Sequence, residues 1–255
     1  MKPHAIHPGS VAIGAIEIAN LSFTYARARL PVFSGLSLSI PVGARCLLLG
    51  ANGTGKSTLL RLIAGRHLIG DDVIRVLGRP AFADTTLSGY VGFLGGAFPF
   101  CADISVAEIL AGRPGIDPAR RSHVLKILEV DTAWRMHQVS DGQRRRVQLL
   151  LDLERPLKLI LLDEVTAELD VLSRADLLRF LRDESQQRGV TILYASHVLE
   201  GLAAWATHLA FLSPGRLRCF AATADVKELQ GPLATSDSTS PLHRLCEVWM
   251  RQDRG

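Results

Sequence analysis

The feature that most constrains this chain is a glycine-rich run that joins a short apolar stretch to a helical pattern. Residues 45–49 (RCLLL) predict a strand, and residues 57–64 carry apolar side chains at helical spacing. The run between them fits the spacing G-x-x-x-x-G-K-[ST] and consists of Gly50, Ala51, Asn52, Gly53, Thr54, Gly55, Lys56, Ser57 and Thr58. Average residue frequencies give such a match by chance in roughly one chain in a hundred of this length. A merely tight turn is therefore the weaker interpretation.

This loop has the chemistry of a phosphate site. Its glycines let the backbone curl so that successive N–H groups point at phosphate oxygens, and the helix that follows presents its positive end to the same charge. Lys56 would reach the β and γ phosphates, and the Ser57 hydroxyl would bind Mg²⁺. We therefore expect the whole run from Gly50 to Thr58 to contact ATP with Mg²⁺.

A second element supplies two carboxylates. Residues 159–162 (LILL) predict a strand buried on both faces, and Asp163 and Glu164 follow it. Ligands of an open parallel sheet bind at the carboxyl ends of its strands. An acidic pair after a strand is, alone, more often part of a solvated loop. Together with the phosphate loop, the pair predicts that Asp163 holds Mg²⁺ and that Glu164 polarises the attacking water.

A third motif predicts an exposed helix N-terminus. Ser140 is followed three residues later by Gln143, which is a capping-box pattern. The free N–H groups of such an end can bind a phosphate. Asp141 suits the helix dipole but would repel a phosphate, unless Arg144 or Arg145, three and four residues further on, engages it. For the arginine run at 144–146 we favour a solvated helix face that pairs with Asp141.

The order of these patterns predicts an α/β fold with a mostly parallel sheet. Loose alternation at 16–25 and 32–40 predicts an antiparallel β subdomain before that sheet. Helical periodicity across about 97–153 predicts an inserted all-helical subdomain. The continuous apolar runs that predict parallel strands are 45–49, 159–162, 190–195 and the weaker 209–212.

The same patterns suggest how the chain is divided. Residues 16–220 form one predicted domain after an N-terminal extension at 1–15. A C-terminal tail at 221–255 contains a polar linker at 231–241 and a short amphipathic helix.

Composition limits the partners and the compartment. No run approaches the roughly 18 to 20 consecutive apolar residues of a membrane-spanning helix, so no membrane insertion is expected. The net charge of +4 is mild and does not argue for nucleic acid. The start lacks the architecture of a secretory signal, and the four cysteines are far apart without metal spacing. Reduced thiols in the cytoplasm are the expectation, with the nucleus also open.

The three motifs, in the order Gly50–Thr58, Ser140–Gln143 and Leu159–Glu164, resemble those of an ABC (ATP-binding cassette) nucleotide-binding domain. The resemblance covers about residues 16–217 and implies a P-loop NTPase core with ATPase activity. It also implies that Tyr25 stacks on adenine, although a lone aromatic side chain beside a strand usually serves packing.

Further roles follow from this resemblance alone. His197 would contact the γ-phosphate and join Lys56 and Glu164 as a catalytic residue, although a lone His is more often a core residue. Residues 167–170 match the D-loop, with Asp170 at its acidic position. Family members hold two ATP molecules between two head-to-tail cassettes. An ATP-dependent homodimer is therefore implied.

In such a dimer, Ser140, Gly142 and Gln143 of one chain would complete the site that contains Lys56 and Glu164 of the other chain.

Two positions depart from the usual sequence of the family. Asp141 replaces the first glycine of the family's signature motif, which usually reads S-G-G-Q and here begins at Ser140, so we call this part of the chain the signature region.

The second departure is Gly96, which occupies the position of a Gln that couples transporter cassettes to their membrane subunits. The chain also contains residues 103–110 (DISVAEIL), 139–148 (VSDGQRRRVQ) and 163–174. With the two departures, these segments resemble those of the small stand-alone ABC ATPases of eukaryotes. That group is typified by a yeast factor associated with the CCR4–NOT mRNA-deadenylase complex.

Three functions follow as hypotheses. The first is a soluble regulatory ATPase whose ATP-driven dimer presents a surface to a protein complex. The second is the ATP-hydrolysing subunit of a transporter whose membrane subunits are separate chains, which requires a groove beside residues 95–99 for a partner's coupling helix. The third, disfavoured by the modest charge, is a translation-associated or ribosome-associated cassette.

Overall fold

A computed structural model describes residues 14–96, 98, 102–166, 169–229 and 240–253. The predicted extension at 1–15 and linker at 231–241 lie almost entirely outside these residues. The domain limits therefore stay predictions. The predicted fold class is confirmed, because an antiparallel β sheet, a mostly parallel sheet and helices are all present.

The antiparallel sheet has the strand order β2-β1-β4-β5. Both strands predicted by alternation are present, and Ile16 pairs with Ile40 so that alternate residues face one core. Two further strands had no sequence signal, because runs of three and two residues are too short to show a period. The strands are β1 (Ile16–Phe23), β2 (Phe33–Ile40), β4 (Ile74–Val76) and β5 (Arg79–Pro80).

The second sheet has the order β10-β9-β3-β8-β7-β6, and only β10 runs antiparallel to its neighbour. Every residue of β3, β7 and β8 is buried, as continuous apolar runs predict. Their carboxyl ends therefore meet at one edge. The strands are β3 (Arg45–Leu49), β6 (Val91–Leu94), β7 (Leu159–Asp163), β8 (Thr191–Ala195), β9 (His208–Ser213) and β10 (Arg216–Ala222).

Helices cover both faces of this sheet. Three of them lie between β6 and β7, within the predicted helical subdomain. Within the described ranges, none is both long and apolar enough to cross a bilayer. The helices are α1 (Lys56–Ile63), α2 (Val106–Ala111), α3 (Pro118–Ile127), α4 (Asp141–Leu153), α5 (Val171–Arg188), α6 (Leu202–Trp205) and α7 (Pro241–Gln252).

The C-terminal helix α7 packs on the parallel sheet. Leu242 and Leu245 are buried in the same core as β7, and the Trp249 ring meets Phe211 of β9 edge-on at 4.9 Å. Asp253 closes the helix end by accepting hydrogen bonds from the Ser213 hydroxyl at 2.7 and 2.9 Å. These contacts hold α7 beside the carboxyl edge of the sheet.

Candidate nucleotide site

The loop between β3 and α1 has a backbone that only glycine accommodates. Gly50 has φ 147°, and a Cβ on it would lie 2.5 Å from the carbonyl oxygen of Leu212. Gly55 has φ 98°, and a Cβ there would lie 2.7 Å from the Phe33 ring. Because Leu212 and Phe33 lie this close to the loop backbone, a side chain at either position would clash. Both glycines are therefore required by packing as well as by conformation. The loop thus turns sharply into the first N–H groups of α1.

Lys56 lies within this loop. Its Nζ donates hydrogen bonds to the carbonyl oxygens of Gly50 at 2.8 Å and Ala51 at 3.1 Å. Burial lowers the pKa of this ammonium, while the nearby carboxylates of Glu164 and Asp163 act in the opposite direction. The side chain is therefore a buried donor that spans the loop, placed to exchange carbonyl partners for phosphate oxygens.

Ser57 and Asp163 meet at the carboxyl end of β7. The Ser57 hydroxyl donates to Asp163 Oδ1 at 3.0 Å. Burial raises the pKa of the Asp163 carboxyl, and the bond from Ser57 partly opposes that rise. A Cβ on Gly95 would lie 2.5 Å from Asp163 Cβ, so the neighbouring chain leaves room for this carboxylate only because residue 95 is glycine.

This pair fits Mg²⁺ in one particular way. A hydroxyl and a buried carboxylate are the hard oxygen ligands that Mg²⁺ prefers. Within the described residues, no group of three or more His, Cys, Asp or Glu side chains is placed to hold a metal ion. Mg²⁺ usually takes one or two protein oxygens and completes its shell with phosphates and water. The residues thus suit an ion that arrives with a nucleotide.

Glu164 and His197 form a hydrogen-bonded pair beside the Ser57–Asp163 contact. The Glu164 carboxylate accepts a bond from Nδ1 of the His197 ring at 2.5 Å and from the His197 backbone N–H at 3.3 Å. Glu164 has φ 57°, and its own N–H donates to the Ala195 carbonyl at the end of β8. Neighbouring parallel strands therefore place this carboxylate and this imidazole together, and sequence spacing could not give their contact.

Tyr25 reaches the first turn of α1 through its hydroxyl. Its hydroxyl is 3.0 Å from Thr58 Oγ1, and its ring meets those of Phe23 and His67 edge-on at centroid distances of 5.0 and 5.4 Å. The side chain is half-buried. Stacking of Tyr25 on adenine stays a prediction, and the hydroxyl contact is with a residue two positions after Lys56.

Ser140 begins α4 with the predicted capping box. The Ser140 hydroxyl accepts from the Gln143 N–H at 3.2 Å, and Gln143 Oε1 accepts from the Ser140 N–H at 2.9 Å. Gly142 lies in the first turn. In the described part of the chain, no hydrogen bond or ion pair joins these three residues to the loop at 50–58. The structure does not bring them to the loop of their own chain.

One arginine of the run makes contacts that the sequence did not suggest. Arg146 is half-buried and pairs with Glu129 at 2.7 Å and with Asp170 at 2.5 Å, so the predicted solvated face is wrong for this residue. Pairing of Asp141 with Arg144 or Arg145 stays a prediction. Asp170 caps α5 by accepting a hydrogen bond from the Ser173 N–H. This bond is the largest of the causes that lower the pKa of Asp170 to about 2. These partners are 17 and 24 residues from Arg146, beyond helical spacing.

Gly96 follows β6 with φ 75°, and its carbonyl accepts a bond from Arg145 at 3.0 Å. Beside it lies a groove of about 660 Å³. The aromatic rings of Phe93 and Phe98 line this groove, and the Arg66 guanidinium lies over the Phe93 ring at 4.2 Å. A groove is therefore present beside the position where the sequence lacks the coupling Gln.

A cavity that sequence reasoning missed separates the loop from α7. It measures about 800 Å³, and His197 and the loop residues 50–54 form one side of it. The other side belongs to α7, including Cys246 and Met250. The amphipathic pattern at 242–250 could predict this helix but not its place, because that place depends on long-range packing.

Together, the glycine loop, the buried lysine and the carboxylates at adjacent strand ends define a nucleoside triphosphatase of the P-loop class. Residues 33–167 match the family model described as "ABC transporter". The chain belongs to this family and is an ABC-type ATPase that binds and hydrolyses ATP.

Curated relatives include the ABC transporter I family member 21 of Arabidopsis thaliana, which is 43% identical over 96% of this chain and 88% of its own length. Another is CCR4-associated factor 16 of Saccharomyces cerevisiae, which is 38% identical over 80% of this chain and 77% of its own length. Both alignments cover most of each partner.

Solved structures show the same fold. A dimeric ATP-binding cassette in a post-hydrolysis state with ADP and Pi matches with a TM-score of 0.69 at 20% identity, covering 82% of this chain and 98% of that one. An ATP-binding subunit of an ABC transporter matches with a TM-score of 0.75 over 93% of this chain and 99% of that one.

Proposed function

We propose that this ATPase closes as a head-to-tail homodimer on two Mg²⁺–ATP complexes and acts as a regulatory subunit of a protein complex. One observation on this chain supports the proposed dimer. The groups suited to bind and cleave ATP gather around Lys56, whereas the exposed helix start at Ser140 has no hydrogen bond or ion pair to that loop within the described residues. A second copy can supply what one chain leaves apart.

Each residue has a role in this proposal. Lys56 and the loop amides at Gly50–Thr58 bind the phosphates, and Ser57 with Asp163 would hold Mg²⁺, which neutralises charge on the transferred phosphoryl group. Glu164 accepts a proton from the attacking water. His197 donates to Glu164 from Nδ1, and Nε2 on the far side of the ring can donate to the γ-phosphate when it also carries a proton.

The binding residues outside the loop complete the site. Tyr25 stacks on the adenine, next to its contact with Thr58. Ser140, Gly142 and Gln143 approach the γ-phosphate of the partner's nucleotide through the free N–H groups of α4. Asp170 orders the start of α5 by accepting hydrogen bonds from the N–H groups of Leu172 and Ser173.

A regulatory role rests on the relatives and on Gly96. The yeast relative is named for an association with CCR4, and the signature with Asp141 and the absent coupling Gln distinguish this chain from transporter cassettes. We propose a cytoplasmic protein, with the nucleus also open, that works in CCR4–NOT-type regulation without direct contact to nucleic acid or insertion into a membrane.

The groove beside Gly96 favours a second function. A groove of about 660 Å³ lined by Phe93 and Phe98 is large enough to hold part of a helix from another chain. The chain could therefore supply ATP hydrolysis to separate membrane subunits. The names of the Arabidopsis relatives are consistent with this alternative.

One affinity purification tests both functions. The Glu164→Gln variant, loaded with Mg²⁺ and ATP, should hold the dimer and retain its partners. Lys56→Ala at the same limiting ATP concentration is the matched control, because it should load much less nucleotide. Recovery of deadenylase-complex subunits only with Glu164→Gln supports the regulatory role. Recovery of membrane permease subunits alone would establish the transporter alternative.

A further inference from the structure

Two features of the molecule have no role so far. The first is a pair of apolar side chains at the start of α5, Val171 and Leu172, which are 81% and 74% exposed. The second is the cavity of about 800 Å³ between the loop and α7, which we call the α7 cavity. Exposed apolar side chains and the apolar lining of an open cavity both raise the free energy of a protein in water until another surface covers them.

The apolar pair lies at the same face as the signature helix. Arg146 of α4 contacts Asp170, the residue directly before Val171. Arg146 is six residues from Ser140, which is about 9 Å along a helix. The exposed pair and Ser140 are therefore parts of one surface.

The α7 cavity lies at the opposite half of the proposed dimer contact. Its walls include Gly53 of the phosphate loop and His197, with Leu199, Cys246 and Met250 as apolar lining. In a dimer that places Ser140 over the partner's loop, Val171 and Leu172 face the same partner, because Arg146 joins the two helix starts. The α7 cavity adjoins that loop, and the Leu199, Cys246 and Met250 side chains form the apolar part of its lining.

We infer that Val171 and Leu172 of one copy insert into the α7 cavity of the second copy, so that α7 is part of the dimer interface. The inference rests on the proposed dimer. Twofold symmetry requires both surfaces to be present on one chain, and the contact then occurs twice. The contact would bury apolar side chains at the centre of the interface, where affinity concentrates.

The test compares two exposed leucines in the Glu164→Gln protein with Mg²⁺ and ATP. Leu172→Asp should raise the dimer dissociation constant at least about tenfold in analytical ultracentrifugation, because it places a carboxylate against the Leu199, Cys246 and Met250 side chains. Leu68→Asp is the matched control, since Leu68 is 75% exposed and lies outside both surfaces. Leu68→Asp should dimerise like the parent. An acid at the start of α5 also suits the helix dipole, so Leu172→Asp should fold.

A cross-link gives a second measurement. Leu172→Cys combined with Met250→Cys should form an intermolecular disulfide under oxidation with ATP, and each single variant controls for the native cysteines. Dimerisation of Leu172→Asp with the parent's constant overturns this inference and leaves the proposed dimer standing. A Glu164→Gln parent that binds no ATP, or stays monomeric with it, overturns both.

Discussion

The phosphate loop and the signature region of this chain are built in opposite ways. Around Lys56 the functional groups are joined by hydrogen bonds within one chain and lie at the ends of buried strands. Around Ser140 and Val171 they lie at exposed helix starts that face outward. The first region is organised before any partner arrives, and the second has chemistry to offer only to another molecule. Substitutions in the two regions should therefore have separable effects.

The largest effect is expected at Glu164. Glu164→Gln removes the proton acceptor, so turnover should fall by roughly 10²- to 10⁴-fold, while ATP affinity is kept. Steady-state hydrolysis and calorimetry measure the two quantities. Glu200→Gln, an exposed acid nearby in the chain, should behave as wild type. Hydrolysis by Glu164→Gln at the wild-type rate would remove Glu164 from the base role.

The second-largest effect is expected on ATP binding at the phosphate loop. Lys56→Ala removes a charged donor to the phosphates, and affinity for ATP should fall by about ten- to a hundredfold in calorimetry. Lys158→Ala, whose ammonium lies over the Tyr90 ring, removes the same charge elsewhere and should leave affinity unchanged. Undiminished ATP binding by Lys56→Ala would contradict the claim that the phosphate-loop region is organised to bind ATP within one chain.

A smaller effect is expected in the signature region. Arg146→Met breaks the contacts with Glu129 and Asp170, so the two helix starts lose their alignment. The dimer dissociation constant should rise by roughly three- to thirtyfold, with ATP affinity of the monomer unchanged. Arg179→Met, which breaks an exposed pair within α5, is the matched control. A shift in monomer affinity would show that the two regions are not separate.

The smallest effect is expected for Asp141→Gly, which restores the usual glycine. Asp141 is exposed in the first turn of α4, so ATP binding to the monomer should not change. Turnover should change by no more than about threefold, as is usual for exposed positions. Turnover measured at several protein concentrations shows whether the change arises in the dimer, because only the dimer-dependent part of the rate should respond to the substitution. A large change in monomer affinity would place Asp141 at its own chain's nucleotide.

The sequence predicts local structure well where a motif carries its own pattern. Strand β3 and the Ser140 capping box follow the predictions because burial on both faces and local capping determine them. It did not predict the pairing of Glu164 with His197 or of Arg146 with Asp170. Those contacts depend on strand order and helix packing, which join residues 24 and 33 positions apart.

The α7 cavity shows the same limit at a larger scale. Helix α7 was predicted from its amphipathic pattern, yet the helix lies against the loop because Trp249 packs on Phe211 and Asp253 bonds to Ser213. Strand β10 was not predicted because its residues are mostly half-buried at a sheet edge and show no clean period.

The backbone of Glu164 has a consequence for thermal stability. A non-glycine residue at φ 57° is disfavoured by about 1 kcal/mol, and glycine at that position would relieve it. Glu164→Gly should therefore melt at a higher temperature than Glu164→Ala, because both variants lose the contacts with His197 and only the alanine keeps the disfavoured backbone. An acid at this residue supplies the catalytic carboxylate in a conformation that glycine would adopt without strain.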